Sequence, residues 1–311
     1  MRVVVDPWDP GYGAATDPEA MADSAAEVDL DVELPRARWR PLAPPPGSVR
    51  PQEVLFVDGV RRVDARVWID SDAGSGADSE PGVCATWAAG AVRCAARAEL
   101  VASSVERGMF SASRHAVDLT TKFATYPARS AGGSSPEQLW IAIQNRMAGT
   151  EQAIAEAVRR EHPGALLFVD GPLRGRGHLP DTIGMVKTHQ RAYLQGEQAE
   201  VLAALRPGER TPAFTIASAF PRRSWYVRLP GSSGAPLAGV VRCECSVDVM
   251  PADLVPLADV SALVLPRYAS APHKDSRAPQ NLYPIGGLER ALRRRLGDPR
   301  LLYRALRAAT G

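Results

Sequence analysis

The pentapeptide LFVDG occurs twice, at residues 55–59 and 167–171, and it constrains this chain more than any other feature. Each copy is a short apolar run closed by Asp-Gly, which reads as a buried strand ending in an aspartate at a tight turn. In an α/β sheet, ligands bind in the crevice beyond the carboxyl ends of the strands. Neighbouring strands would therefore bring Asp58 and Asp170 within reach of shared metal ions. Asp-Gly is also ordinary turn chemistry, so the functional reading rests on the repetition and not on either copy alone.

A helix is expected between the two copies. Ser135 is its N-cap, Pro136 its first residue and Gln138 the partner that completes a capping box, and His162-Pro163-Gly164 stops it after Glu161. Its apolar stripe comprises Trp140, Ile143, Met147, Ile154 and Val158, and Glu151 falls on that stripe. A core-facing carboxylate must be paired, hydrogen-bonded or metal-bound. The two aspartates offer a shared cation, and Arg146 offers a salt bridge instead.

A further polar cluster lies in PRYASAPHKDSRAPQNLYPIGGLE, where His273, Lys274, Asp275 and Arg277 crowd a Pro-bounded loop. His273 or Asp275 could complete a metal shell while Lys274 and Arg277 meet phosphates, or the loop could be a plain polar connection. Lys187, in IGMVKTHQ, is another candidate phosphate ligand or a solvated strand-end lysine. His115, His162, His178 and His189 carry no metal-site spacing and read as structural or surface residues.

These residue types suit phosphodiester hydrolysis. The reaction needs an activated water and relief of charge on the leaving oxygen, which two divalent ions ~4 Å apart in a carboxylate cage supply. An all-oxygen site with one imidazole at most suits Mn²⁺ or Mg²⁺. The chain has no GxxxxGK[ST] loop, no GxGxxG after a strand and no GxSxG elbow, which removes the usual phosphate cradles and the serine nucleophile.

The remaining chain organises around this core. Residues 1–50 are Pro-rich and acidic without periodicity and read as an irregular arm, with one α/β domain over 51–311. EVLFVDG and RRVDARVWID read as strand, turn and strand, followed by a Gly/Ser loop at 71–82 and a strand pair built on small residues in GVCATWAAGAVRCAA. SWYVRLPG and LAGVVRCECSVDV form a hairpin, ALVLP at 262–266 a strand, and the last segment an amphipathic helix with Leu288, Leu292 and Leu296 on one face. The net charge is only +2 over 311 residues, so a nucleic-acid surface must come from segregated charge. Arg290, Arg293, Arg294 and Arg295 offer one, or else a solvated face. No apolar run spans a bilayer and the start has no leader-like segment, so a cytoplasmic protein is expected. Cys84, Cys94, Cys243 and Cys245 lack zinc-site spacing.

VLFVDGVRR, the helix carrying Arg146 and Glu151, LLFVDGPL followed by IGMVKTHQRAYL, and HKDSRAPQNLYPIGGLE together resemble the NurA nucleases, which partner the hexameric HerA translocase in DNA end processing. The resemblance covers roughly residues 52–306, with identity confined to these motifs. It implies an RNase H-like, PIWI-like mixed sheet flanked by helices and manganese-dependent exonuclease and single-strand endonuclease activity. It also implies a homodimer docked on a HerA-like ATPase ring. By position, Asp58 and Asp170 correspond to the family's metal-binding aspartates, Glu151 to its helical glutamate, and Asp275 and His273 loosely to its C-terminal ligand. Lys187, Lys274, Arg277, Arg293 and Arg294 would contact DNA. The acidic arm and the Gly/Ser loop depart from the family pattern. Two other readings stay open: an actin-like ATPase or kinase, which would need a Gly/Thr-rich phosphate loop where VDGVRR stands, and a non-catalytic subunit that docks a translocase.

Overall fold

The computed structural model describes residues 22–23, 26–70, 79–231 and 237–310. The first 21 residues of the expected arm, and 71–78 of the expected Gly/Ser loop, lie outside them. In chain order the principal strands are β1 (Glu27–Asp29), β2 (Val54–Ile69), β3 (Glu80–Cys94), β4 (Ala98–Ser111), β5 (Ala128–Ser130), β6 (Leu166–Asp170), β7 (Thr182–Val186), β8 (Phe214–Ala217), β9 (Arg222–Arg228) and β10 (Val240–Ser246). The helices are α1 (Pro136–Glu161), α2 (Glu197–Ala204), α3 (Pro251–Val264), α4 (Tyr283–Arg295) and α5 (Pro299–Ala309). The chain forms two compact units, one of residues 1–56, 93–98 and 162–286, the other of 57–92, 99–161 and 287–311.

The first unit is mixed α/β, a large sheet flanked by helices. Its strands run β1-β8-β9-β10-β7-β6 and end on the first residues of β2. β6 and β7 are parallel, and the pairs from β7 through β10, β9 and β8 to β1 are antiparallel. Alternation along β9 sends successive aromatic rings to opposite faces. Trp225 donates its indole N–H to Ser261 of α3 at 2.8 Å, while Tyr226 stacks on Phe214 in a second core with Trp39, Leu194, Leu202 and Ile216.

That second core corrects the expected arm. Residues 27–42 supply β1, bury Trp39 and bridge Leu42 to Arg210, so this stretch belongs to the first unit. Pro-rich composition concealed it because the strand is only three residues long and its anchors are single side chains. ALVLP corrects in the other direction. It closes α3 and continues as a 3-10 turn over Leu265–Tyr268, not as a strand. α3 is apolar nearly all round, with Leu254, Leu257, Ala258, Ala262 and Val264 buried, and such a helix loses the periodicity that distinguishes it from a buried strand.

Beside this core, His189 is buried, with Nε2 2.9 Å from the Val240 carbonyl oxygen. Burial holds its imidazole down at about 4, against an ordinary 6.5. The folded state therefore keeps a neutral ring where the unfolded chain takes up a proton. The stabilisation is complete above the unfolded value and is lost as pH falls from 6.5 toward 4, amounting to roughly 3 kcal/mol. Urea unfolding at pH 7 and pH 4 should show this loss in the parent and not in His189→Gln; equal acid sensitivity would assign it to other groups.

The second unit holds the rest of β2 beside β3, β4 and β5, with α1 packed on this sheet through Leu139, Ile143 and Met147 against Val83, Trp87 and Phe110. The N-terminus of α1 is the expected capping box. Gln138 N–H donates to Ser135 Oγ, and Ser135 N–H to Gln138 Oε1, both at 3.2 Å. Trp140, expected in the stripe, is 47% exposed. Two expected turns are absent: β2 passes straight through Asp58-Gly59, and GVCATWAAGAVRCAA is one strand with the start of a hairpin to β4. Small residues let β3 lie under α4, since a Cβ on Gly90 would stand 3.0 Å from a Leu292 methyl.

The C-terminal helix is in fact two. α4 stops at Gly297, which has φ +85°, the left-handed end that glycine favours. Asp298 then caps α5 by accepting from the N–H groups of Arg300 and Leu301, ahead of Pro299. Leu288, Leu292 and Leu296 are buried as expected. All four cysteines are free and buried; burial pushes the thiols of Cys84, Cys243 and Cys245 up to about 12 and that of Cys94 to about 11. Among the described residues, no helix is long and apolar enough to cross a membrane.

Candidate functional site

In the first unit, the run Leu166–Val169 is buried and delivers Asp170 at the end of β6. Gly171 follows with φ +90° and bonds its N–H to the Met185 carbonyl at 2.8 Å. The next loop is pinned from below. Leu173 N–H donates to Glu244 Oε1 at 2.7 Å, and Glu244 Oε2 is held by Arg222 at 3.0 Å and Arg242 at 2.5 Å. A Cβ on Gly184 would come within 2.8 Å of the Leu173 nitrogen, so glycine is what lets the loop cross β7 there.

The Asp170 carboxylate is asymmetric. Oδ2 accepts from Lys187 Nζ at 2.5 Å, whereas Oδ1 is buried and has no hydrogen-bond partner among the described residues. Lys187 also donates to Asn281 Oδ1 at 2.9 Å, and Asn281 donates to Asp275 Oδ2 at 2.7 Å. Asp275 Oδ1 accepts from the Arg277 N–H at 2.8 Å, and the Arg277 guanidinium lies 3.6 Å away. The buried Gln280 amide donates to the Lys187 carbonyl at 2.9 Å. Lys187 is thus fixed by a relay of side chains and is only 10% exposed. Its ammonium serves Asp170 and does not project into solvent.

Asp58 lies in the second unit, within β2 and 7% exposed, with Oδ1 accepting from its neighbour Gly59 N–H at 2.7 Å. Glu151 is buried at the middle of α1, and a Cβ on Gly59 would collide with its carboxylate. The Arg61 guanidinium stacks 4.1 Å over Trp140; burial lowers its pKa, and the charge of Glu151 opposes that shift. The expected partner Arg146 is exposed. Asp58 and Glu289 bring carboxylate oxygens within 4.8 Å of one another.

Gly59→Ala should therefore displace the Glu151 carboxylate while leaving the strand intact. If Glu151 serves the chemistry proposed below, metal-dependent turnover should fall ~10- to 100-fold, as for lost support around a metal site, with little change in unfolding midpoint. Parent-like turnover would detach Glu151 from the site.

His273 and Lys274 are exposed, with the Lys274 ammonium 5.4 Å over the Tyr283 ring. Asp275 reaches Asp170 only through Asn281 and Lys187. Arg293 and Arg294 are exposed on α4. Glu289 escaped the sequence reading, although it is the only acidic residue between Asp275 and Asp298; among arginines it looked like an ordinary helix-surface glutamate.

An all-oxygen donor set fits a hard divalent cation. The Asp170 Oδ1 atom supplies an independent test of the fit, because a buried carboxylate oxygen without a partner carries a desolvation penalty that a cation would relieve. Compared with known proteins, the chain matches no family model and no curated protein.

Proposed function

We propose that this chain is a divalent-metal-dependent deoxyribonuclease, as its resemblance to the NurA nucleases implies. The observation that carries the reading is the register of the twin strands at their starts. Leu166 N–H bonds to the Glu53 carbonyl at 3.2 Å, and Phe56 stacks on Phe168 at 5.4 Å, so β2 and β6 set out side by side in the same direction. Asp170 follows Phe168 by two residues, and side chains two apart share a face of the sheet, so the buried pair fixes the side on which Asp170 emerges. Asp170 in the first unit, and the Asp58–Glu289 pair in the second, are the carboxylates offered to Mn²⁺ or Mg²⁺.

Bound there, such ions supply an activated water and offset charge on the phosphodiester. The chain's own residues prepare the place. Lys187 fixes Asp170 in one orientation and offsets part of its charge before the polyanion arrives; Gly59 leaves room for the Glu151 carboxylate beside β2. An RNase H-like sheet, a homodimer and a HerA-like hexameric ATPase as partner belong to the same proposal.

The test is cleavage of end-labelled linear DNA with Mn²⁺ or Mg²⁺, alone and with EDTA. Metal-dependent shortening by the parent and none by Asp58→Ala supports the proposal. A parent that is inert with both metals, with and without a translocase partner, would leave the docking subunit as the better reading.

A further inference from the structure

The last two helices carry a charge separation that the carboxylate chemistry does not use. Residues 287–311 contain seven arginines and two acidic residues, a net +5, whereas the whole chain is +2, so the remainder is −3. On α5, Arg300, Arg304 and Arg307 follow the i, i+4, i+7 spacing that lines one helix face, and Leu302 and Leu306 are buried on the other. On α4, Arg290, Arg293 and Arg294 repeat the pattern at i, i+3, i+4, opposite the buried Leu288 and Leu292. All six are exposed, and their side chains make no hydrogen bond or ion pair among the described residues.

A structural role for these arginines is already filled by others. The carbonyls at the end of α4 are satisfied by Arg62, which donates to Gly297 at 2.8 Å and Leu296 at 3.3 Å, and by Arg107 at 3.5 Å from Leu296. The pairs Arg290–Arg294 and Arg300–Arg304 set like charges four apart, which destabilises a helix. Tyr303, 46% exposed, stands beside the α5 row and offers an aromatic face.

We propose that the outer faces of α4 and α5 form a single-stranded nucleic-acid binding surface, arginines on the phosphates and Tyr303 stacking a base. Complementary charge selects a polyanion, and an arginine row interleaved with an exposed aromatic is how sequence-indifferent strand binding is built. Arginines four apart rise ~6 Å along the helix axis, close to two phosphate steps of ~3.4 Å. The surface deepens the nuclease reading by holding substrate on the helix that carries Glu289, yet it needs no metal, so the two can fail separately.

The experiment is fluorescence anisotropy of the full chain with labelled oligothymidylate in EDTA, over a salt series. Six phosphate contacts at ~0.7 counterions each predict that affinity falls ~300-fold between roughly 50 and 200 mM salt. Arg300→Gln/Arg304→Gln/Arg307→Gln should halve the logarithmic slope, leaving a ~20-fold fall over the same range. Tyr303→Ala should weaken binding without changing the slope. A parent slope retained in the triple variant, or tighter binding to equal-part phosphatidylserine–phosphatidylcholine vesicles than to the oligonucleotide, would overturn the proposal.

Discussion

Arg210→Met should cost the fold about 3 to 5 kcal/mol, the loss expected when one partner is taken from a buried charge cluster. Arg210 is 1% exposed and gives its Nη atoms to both Glu33 oxygens at 2.8 Å and its Nε to Asp259 at 2.7 Å. Burial works against its charge, but Glu33 and then Asp259 outweigh that and raise its pKa above the ordinary arginine value. Methionine would fill most of the space and strand two carboxylates in the interior. Urea unfolding measures the loss directly. Replacing Arg210, Glu33 and Asp259 together with apolar residues should recover most of the loss. A single variant within 1 kcal/mol of the parent would show that the cluster contributes little.

The largest effect on activity is expected from Asp170→Asn. The substitution preserves shape but removes the charge that attracts a cation and leaves Lys187 facing an amide. In the proposed metal-dependent reaction, several kcal/mol of transition-state stabilisation depend on a correctly held metal, equivalent to a roughly thousandfold fall in cleavage. Calorimetric titration with Mn²⁺ should show weakened binding in parallel, while the unfolding midpoint moves little because the Lys187–Asn281–Asp275 relay remains. Undiminished cleavage by a folded Asp170→Asn protein would remove this carboxylate from the chemistry.

Much of the local structure was legible because it is written in near neighbours. The capping box at Ser135 and Gln138, the β9–β10 hairpin and the leucine face of α4 each depend on residues a few positions apart. Asp58-Gly59 misled for the opposite reason. Its turn propensity is local, but a 16-residue strand with long neighbours overrides it, and Gly59 serves instead to admit the Glu151 carboxylate. Glu33 and Trp39 looked like parts of a polar arm because their partners, Arg210 and Phe214, are more than 170 residues away. Half of the candidate site was hidden in the same manner. Asp58 and Asp170 announced themselves by repetition, whereas Asn281 and Glu289 matter only through what folding sets beside them.

The interleaved assignment of the chain to its two units has a consequence for biosynthesis. The chain changes unit after residues 56, 92, 98, 161 and 286, so neither unit is a continuous segment that truncation could isolate. Synthesis must reach the last segment of a unit before all of that unit's contacts can close. Early strands such as β2 therefore wait with their apolar edges uncovered, which is the circumstance in which chaperone dependence and off-pathway association arise.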